Sequence, residues 1–273
     1  MASFHVRSKS FPSQSHPKVN DVEDHLERLK ASQATSTSSI CANLASLKDL
    51  HDSINNIIQM PSAQQALIGD EGQNLINELL DGSLMLVDLC ALSRDIVQLT
   101  KESVQDLGSA FRRNKVETES SADISAYLAS RKKINKMVKK CIKNLKASNK
   151  NTTTLSPIGT MLKEAESLDF SILKSLLIVL SGQNESPGEK SWSALLSKIT
   201  QTGRVHSVIK QESETDDLCA LNIHKSLKNT DSKTMMKQLK ASEMSIQEIG
   251  ECLEALFGSL MKTRVSLLNV LSH

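Results

Sequence analysis

The sequence predicts an all-α protein, an elongated multi-helix bundle with long heptad-patterned helices. Three observations carry this. The stretch from Leu75 to Arg113 contains no proline and repeats apolar residues at helical spacing: Ile76, Leu79, Leu86, Cys90, Val97, Val104, Leu107 and Phe111. Near the C-terminus Leu239, Ile246, Leu253, Leu260 and Leu267 recur every seven residues, and Ile249, Leu256 and Val270 fall three positions after members of that row. Aromatic residues make up only 3% of the 273, with 10 Gly and 5 Pro, too few for the strands and tight turns of a β fold.

The Leu75–Arg113 helix is the axis of the expected bundle. A second apolar row, Leu89, Leu92, Ile96 and Leu99, lies beside the first. From Leu84 to Leu92 the helix is apolar nearly all round, with Asp88 its only charge, so other helices are expected to cover it on several sides. At about 1.5 Å per residue it is roughly 58 Å long, longer than a compact domain is wide.

The other elements follow in chain order. Residues 1–19 are polar, with Pro12 and Pro17, and read as a flexible N-terminal arm. Residues 20–273 read as a single helical-bundle domain. Asn20, with Glu23 three residues on, is the expected cap of the first helix. The Ser- and Thr-rich residues 31–39 break the pattern. It resumes from Ile40 to Ile58, and Pro61 is expected to end that helix, with a short turn of helix over Gln64 to Ile68. Past the central helix, residues 114–120 read as a linker, Ser121 to Lys146 as a helix, and Pro157 as the first residue of another. A short helix is expected around Trp192 and a loop-rich insertion over 202–229. The C-terminal heptad row needs a partner helix along it. Packing on the central helix of the same chain is the favoured reading; a second copy, giving a homodimer, is the alternative.

Charge is unevenly placed. The net charge is +2, yet Arg112 to Lys150 holds twelve Lys or Arg against three Asp or Glu, so the rest is acidic on balance. The five cysteines are scattered and form no C-x-x-C pair, which points to a reducing compartment. No run approaches the roughly 18–20 apolar residues of a membrane span. A cytoplasmic protein, able to sit peripherally on a membrane, is expected. An organellar transit peptide is the other reading of the basic, Ser-rich first twenty residues.

Motifs for chemistry are sparse. No histidine pair has metal-ligand spacing, and no Gly-rich phosphate loop or G-x-S-x-G occurs. No metal, cofactor or catalytic activity is therefore expected. His51, near Asp49 and Asp52, reads as a solvated or hydrogen-bonded helix histidine. Asp88 and the Arg94–Asp95 pair, set in the most apolar helix, read as a buried polar network fixing register rather than as a catalytic site.

Two features suggest partners. In RKKINKMVKKCIKNLK, Arg131 to Lys146, a helical projection puts Lys132, Lys133, Lys136, Lys139, Lys140, Lys143 and Lys146 on one side. Ile134, Met137, Val138, Cys141, Ile142 and Leu145 fall on the other. Lys132, Lys136, Lys139 and Lys143 are the candidate face for an anionic partner, lipid or protein, against the plainer reading of a solvated bundle face. Nucleic acid is not expected, because no aromatic or Arg-rich base-reading surface accompanies the lysines. The second feature is RSKSFP, with Arg7 three residues before Ser10 and Pro12 two after it. Once phosphorylated, R-S-x-S-x-P is the pattern that 14-3-3 dimers recognise.

Several segments resemble one plant-specific family related to the BYPASS proteins. They are SFHVRSKSFPSQSHP, LLDGSLMLVDLCALSRDIV, LGSAFRR, YLASRKKINK and LFGSLMKTRVSLLNVLSH, in order and nearly end to end. The resemblance implies a plant protein of helical fold with a regulatory or scaffolding role in root and shoot development, tied to a mobile root-derived signal. It implies no catalytic residues. Where such relatives usually carry Phe-Arg-Arg, this chain has Phe257-Gly258-Ser259.

The arm yields the first testable expectation. A peptide spanning Phe4 to His16 with phosphate on Ser10 gains about −1.5 to −2 charges and three strong acceptor oxygens. Calorimetry should show it binding a 14-3-3 dimer more tightly than about 100 μM, roughly −5.5 kcal/mol. The unmodified peptide should bind far more weakly; equal affinities would show that the phosphate plays no part.

Overall fold

The computed structural model describes residues 16–35, 40–68, 72–113, 120–146, 157–181 and 232–272. Within them the chain forms α1 (Pro17–Thr35), α2 (Ile40–Ile58), α3 (Pro61–Ile68), α4 (Gly72–Arg113), α5 (Ser120–Lys146), α6 (Pro157–Ser181) and α7 (Ser232–Leu271). No strand occurs among the described residues, as an all-α bundle requires. The Trp192 region and the 202–229 insertion lie outside the described residues, as do Arg7, Ser10 and Pro12.

Prolines open three of the helices. Pro17, Pro61 and Pro157 each occupy a first helical position, where the missing N–H has no intrahelical acceptor to lose. This corrects two expectations. The first helix starts at Pro17, not after Asn20, so residues 17–19 belong to α1. His16 caps it: its carbonyl accepts from Val19 N–H (2.7 Å) and its Nδ1 accepts from Lys18 N–H (3.2 Å). Pro61 begins α3 rather than ending α2, which stops at Ile58. The Met60 carbonyl accepts from both Ala63 and Gln64 as α3 opens.

α4 and α7 are the two long elements, 42 and 40 residues, about 63 and 60 Å at 1.5 Å per residue. They lie side by side and antiparallel. Along α4, Ser83, Cys90, Val97, Lys101 and Gln105 meet Arg264, Leu253, Gly250, Gln247 and Glu243 of α7 in turn. Every member of the heptad row, Leu239 to Leu267, is buried, together with Ile249, Leu256 and Val270. Helices of the same chain cover it.

α2 fills the other side of α7, and these two run parallel. Asp52 accepts from Ser259 (2.7 Å), and Asn55 from Ser266 (2.9 Å). α1 packs on α2, α3 and α6 on α4, and α5 closes against α4 and α6. One continuous apolar core runs through all seven helices. Several buried hydroxyls of the long helices bond back to their own backbone, as Ser93 does to Leu89 (2.8 Å) and Thr100 to Ile96 (2.7 Å), so these two enter the core without orphaned donors.

The covering of α4 is less complete than its sequence suggests. Leu84 is 45% exposed and Asp88 lies on the same open side. Among the described residues, α3, α5, α6 and α7 pack on α4 and leave this strip uncovered. Gly82, just before it, lies beneath the Glu166 carboxylate of α6; an added Cβ would sit 2.5 Å from that group's carbon. Burial raises the Glu166 carboxyl above its ordinary range, while Lys163, 3.0 Å away, opposes the shift.

Leu253 is fully buried between α7 and α4. Leu253→Asp puts an unpaired carboxylate there and should cost about 3–5 kcal/mol. In a chain this size the melting temperature should fall by roughly 10 °C. An unchanged melting curve would contradict the packing.

Candidate functional site

The basic stretch of α5 is divided by its own geometry. Ile134 and Val138 are buried, and Met137, Cys141, Ile142 and Leu145 pack half-buried against the core. On the opposite side Lys132, Lys133, Lys136, Lys139, Lys140 and Lys143 are all exposed. None of the six takes part in an ion pair among the described residues. The structure thus brings the four candidates Lys132, Lys136, Lys139 and Lys143 onto one solvent face, as the sequence predicts.

Arg131 behaves differently from the lysines that follow it. Its side chain turns inward, and its Nη2 donates to the Leu180 carbonyl at the end of α6 (2.6 Å). A cation at a helix C-terminus meets the negative end of the backbone dipole and one of its unsatisfied carbonyls. Burial holds the guanidinium below its ordinary range, and Tyr127, one turn earlier, has its phenol pushed up for the same reason. Arg131 is therefore an anchor between α5 and α6. A run of six letters, RKKINK, does not reveal that its first member points the other way.

A second polar feature lies inside the bundle. His51 of α2 is 4% exposed and Asp169 of α6 is wholly buried. His51 Nε2–H donates to Asp169 Oδ2 (2.8 Å), and Nδ1 is 3.1 Å from the Thr263 hydroxyl of α7. Thr263 Oγ1 in turn donates to the Ser259 carbonyl (3.1 Å). Neither Asp49 nor Asp52 is the partner of His51: Asp52 faces Lys48 (2.8 Å) and Ser259, which hold its carboxyl below the ordinary range. Asp169 was overlooked in the sequence although a signal was there. It is the lone acid in the buried row Leu162, Ala165, Asp169, Ile172 and Leu176. Cys90 of α4 borders this centre; burial pushes its thiol up to about 12, and it donates to the Leu253 carbonyl (3.7 Å). The centre ties α2, α6 and α7 together at one level and is closed to solvent.

The charges expected to form a buried network in α4 do not do so. Asp88 and Asp95 are exposed. Arg94 is half-exposed, pairs with Glu254, and lies 4.6 Å over the Phe257 ring. These are rim contacts that reinforce the α4–α7 seam. At the Phe257-Gly258-Ser259 step, the space above Gly258 is open and Ser259 is buried on Asp52.

An open groove of about 620 Å³ runs between α2 and α7, with Asp52, Asn55, Gln59, Lys262, Ser266 and Asn269 on its walls. Among the described residues no group of three or more His, Cys, Asp and Glu side chains is placed to hold a metal ion, and no helix is long and apolar enough to cross a membrane.

A helical bundle built on two long antiparallel helices, with a lysine-faced outer helix, is the class of protein these features define. The chain belongs to the BPS1 protein family, whose model matches residues 43–270. This is the BYPASS-related plant family that the sequence segments resemble. No curated protein and no solved structure matches the chain.

The buried centre makes a testable unit. Asp169→Ala leaves His51 without its partner in the core and should cost about 3–5 kcal/mol. His51→Leu combined with Asp169→Leu should recover much of that loss, because apolar replacements of a buried polar pair are often near neutral. Denaturant unfolding of His51→Leu, Asp169→Leu and the double variant measures the coupling. Additive losses would show that the two side chains do not act together.

Proposed function

We propose that the protein is a non-enzymatic regulatory or scaffolding component of plant root and shoot development that works through protein–protein contacts. Its docking surface for an acidic partner is the lysine face of α5. The observation that carries this is the division of α5 into an apolar side packed on the core and six exposed lysines. A helix that has given its apolar side to its own bundle has none left for a calmodulin-type groove or for insertion into a lipid interface. What it offers is charge. Membership of the BPS1 family supports the developmental setting. A phosphorylated Ser10, flanked by Arg7 and Pro12, adds a second contact, to a 14-3-3 dimer.

A second reading is docking on an anionic membrane surface without insertion. Lys132 to Lys143 run about 16 Å along one helix, a shape that suits a flat charged surface. Each lysine there contributes about 1 kcal/mol, and salt weakens the attraction.

The variant carrying Lys→Gln at 132, 136, 139 and 143 tests both. It should keep the wild-type melting curve, since these side chains are exposed. In affinity purification from plant tissue it should lose acidic protein partners that the wild type retains. Co-sedimentation with phosphatidylserine vesicles at low salt, by the wild type and not by the variant, would favour the membrane reading. Identical partners and identical sedimentation would leave the lysines as a solvated face and overturn both.

A further inference from the structure

Cys41 and Cys252 come together across the α2–α7 seam. Cys41 is the second residue of α2, and Cys252 lies midway along α7. The Cys41 side chain bears on the Cys252 thiol and lowers it against the effect of burial, and both cysteines are only half-buried. The pairing follows from the parallel register of these helices. Asn55 meets Ser266 at a separation of 211 residues, and His51 meets Thr263 at 212. Cys41 and Cys252 are 211 apart, about four turns earlier along the same seam. The other described cysteines have no such neighbour: Cys90 is buried against a carbonyl, and Cys141 sits half-buried on α5.

We propose that Cys41 and Cys252 are a reversible oxidation site, converted to an intramolecular disulfide by peroxide. One thiolate attacks a peroxide oxygen, breaking the O–O bond and giving a sulfenic acid and, after protonation, one water. The second thiol then attacks that sulfur, the S–S bond forms, and the hydroxyl leaves as a second water. The pair gives up two electrons and two protons, and peroxide accepts them. Thiol reductants reverse the step by exchange through a mixed disulfide.

The bond would tie the start of α2 to the middle of α7. In the reduced protein this end of α2 is held by side-chain packing, and α1 rests on α2 in turn. Oxidation makes that attachment covalent across a loop of about 200 residues, which restricts the unfolded chain strongly. Burial, with Glu248 and Glu251 nearby, keeps the Cys252 thiol above its ordinary range, so the thiolate is scarce at neutral pH. The first step should therefore quicken as pH rises, and the site should answer sustained rather than brief oxidant.

The experiment uses the full chain. Purified reduced protein is treated with hydrogen peroxide, alkylated, digested without reductant and mapped by mass spectrometry. The expected product is one linked species containing Cys41 and Cys252, lighter than the reduced pair by two hydrogens, while Cys90 and Cys141 stay alkylated. The oxidised protein should melt about 5 °C or more above the reduced form, and dithiothreitol should abolish the difference. Cys41→Ser and Cys252→Ser should each remove both effects; the map of the wild type decides the pairing even if one variant folds poorly. Full alkylation of both thiols after peroxide, or pairing of either with Cys219 or Cys141, would overturn the proposal.

Discussion

The antiparallel contact between α4 and α7 is the constraint on which the remaining structure depends. Each helix is about 60 Å long and apolar along its length. Neither can shed that surface except against another helix of equal reach, and among the described helices these two are the long ones. Once they are paired, α7 has a second side to fill, and α2 fills it. α6 and α3 settle on α4, α1 on α2, and α5 spans α4 and α6. Short helices that would be marginal alone thereby gain a prebuilt apolar wall.

A heptad row by itself does not choose a register. Sliding α7 by seven residues along α4 would exchange one leucine for the next and keep the apolar match. The polar contacts on the α2 side do not tolerate the slide. Ser259 with Asp52, Thr263 with His51, and Ser266 with Asn55 meet in sequence, and His51 reaches on to Asp169 of α6. A slipped helix would leave buried donors and acceptors without partners, at about 1–3 kcal/mol for each one. Burial drives the pairing of the long helices, and the polar seam selects which pairing forms. Arg264 adds to this from the other flank by donating to the Leu80 carbonyl and to Ser83 (3.0 Å).

How much of this was legible in the sequence depends on the range of each interaction. α4, α6 and α7 are plain because apolar periodicity is local and long; α4, expected over Leu75–Arg113, runs Gly72–Arg113, and α6 opens at Pro157 as expected. The starts of α1 and α3 were misplaced because proline reads equally as a stop and as a first helical residue. The choice turns on what precedes it, here an unusual histidine cap at His16. His51 was read as either solvated or hydrogen-bonded; it is buried and hydrogen-bonded, and its partner stands 118 residues away, beyond any spacing rule. Asp88 and Arg94 misled for the opposite reason. The apolar run around them suggested burial on all sides, while the bundle leaves one strip of α4 open, and the charges lie on or beside it. The α2–α7 groove has no sequence signature, since its walls come from two helices whose parallel register only the folded chain establishes.

The basic helix shows how one composition serves two ends. Arg131 and Lys132 are neighbours in sequence, yet one is buried and the other exposed. Guanidinium suits the buried position: it is planar, weakly hydrated and remains charged under desolvation, and it donates to the Leu180 carbonyl at the end of α6. An ammonium there would lose more hydration. On the outside the preference reverses, because a compact, strongly hydrated charge on a flexible stem is easily kept in water. The six exposed lysines repel one another, and this raises the energy of the unbound face. An anionic surface brought against α5 relieves the repulsion while adding its own attraction. The binding energy of such a face therefore comes partly from strain in the free protein, and it is electrostatic and salt-sensitive. It also leaves the core undisturbed, because the large apolar side chains of α5 already pack on the bundle.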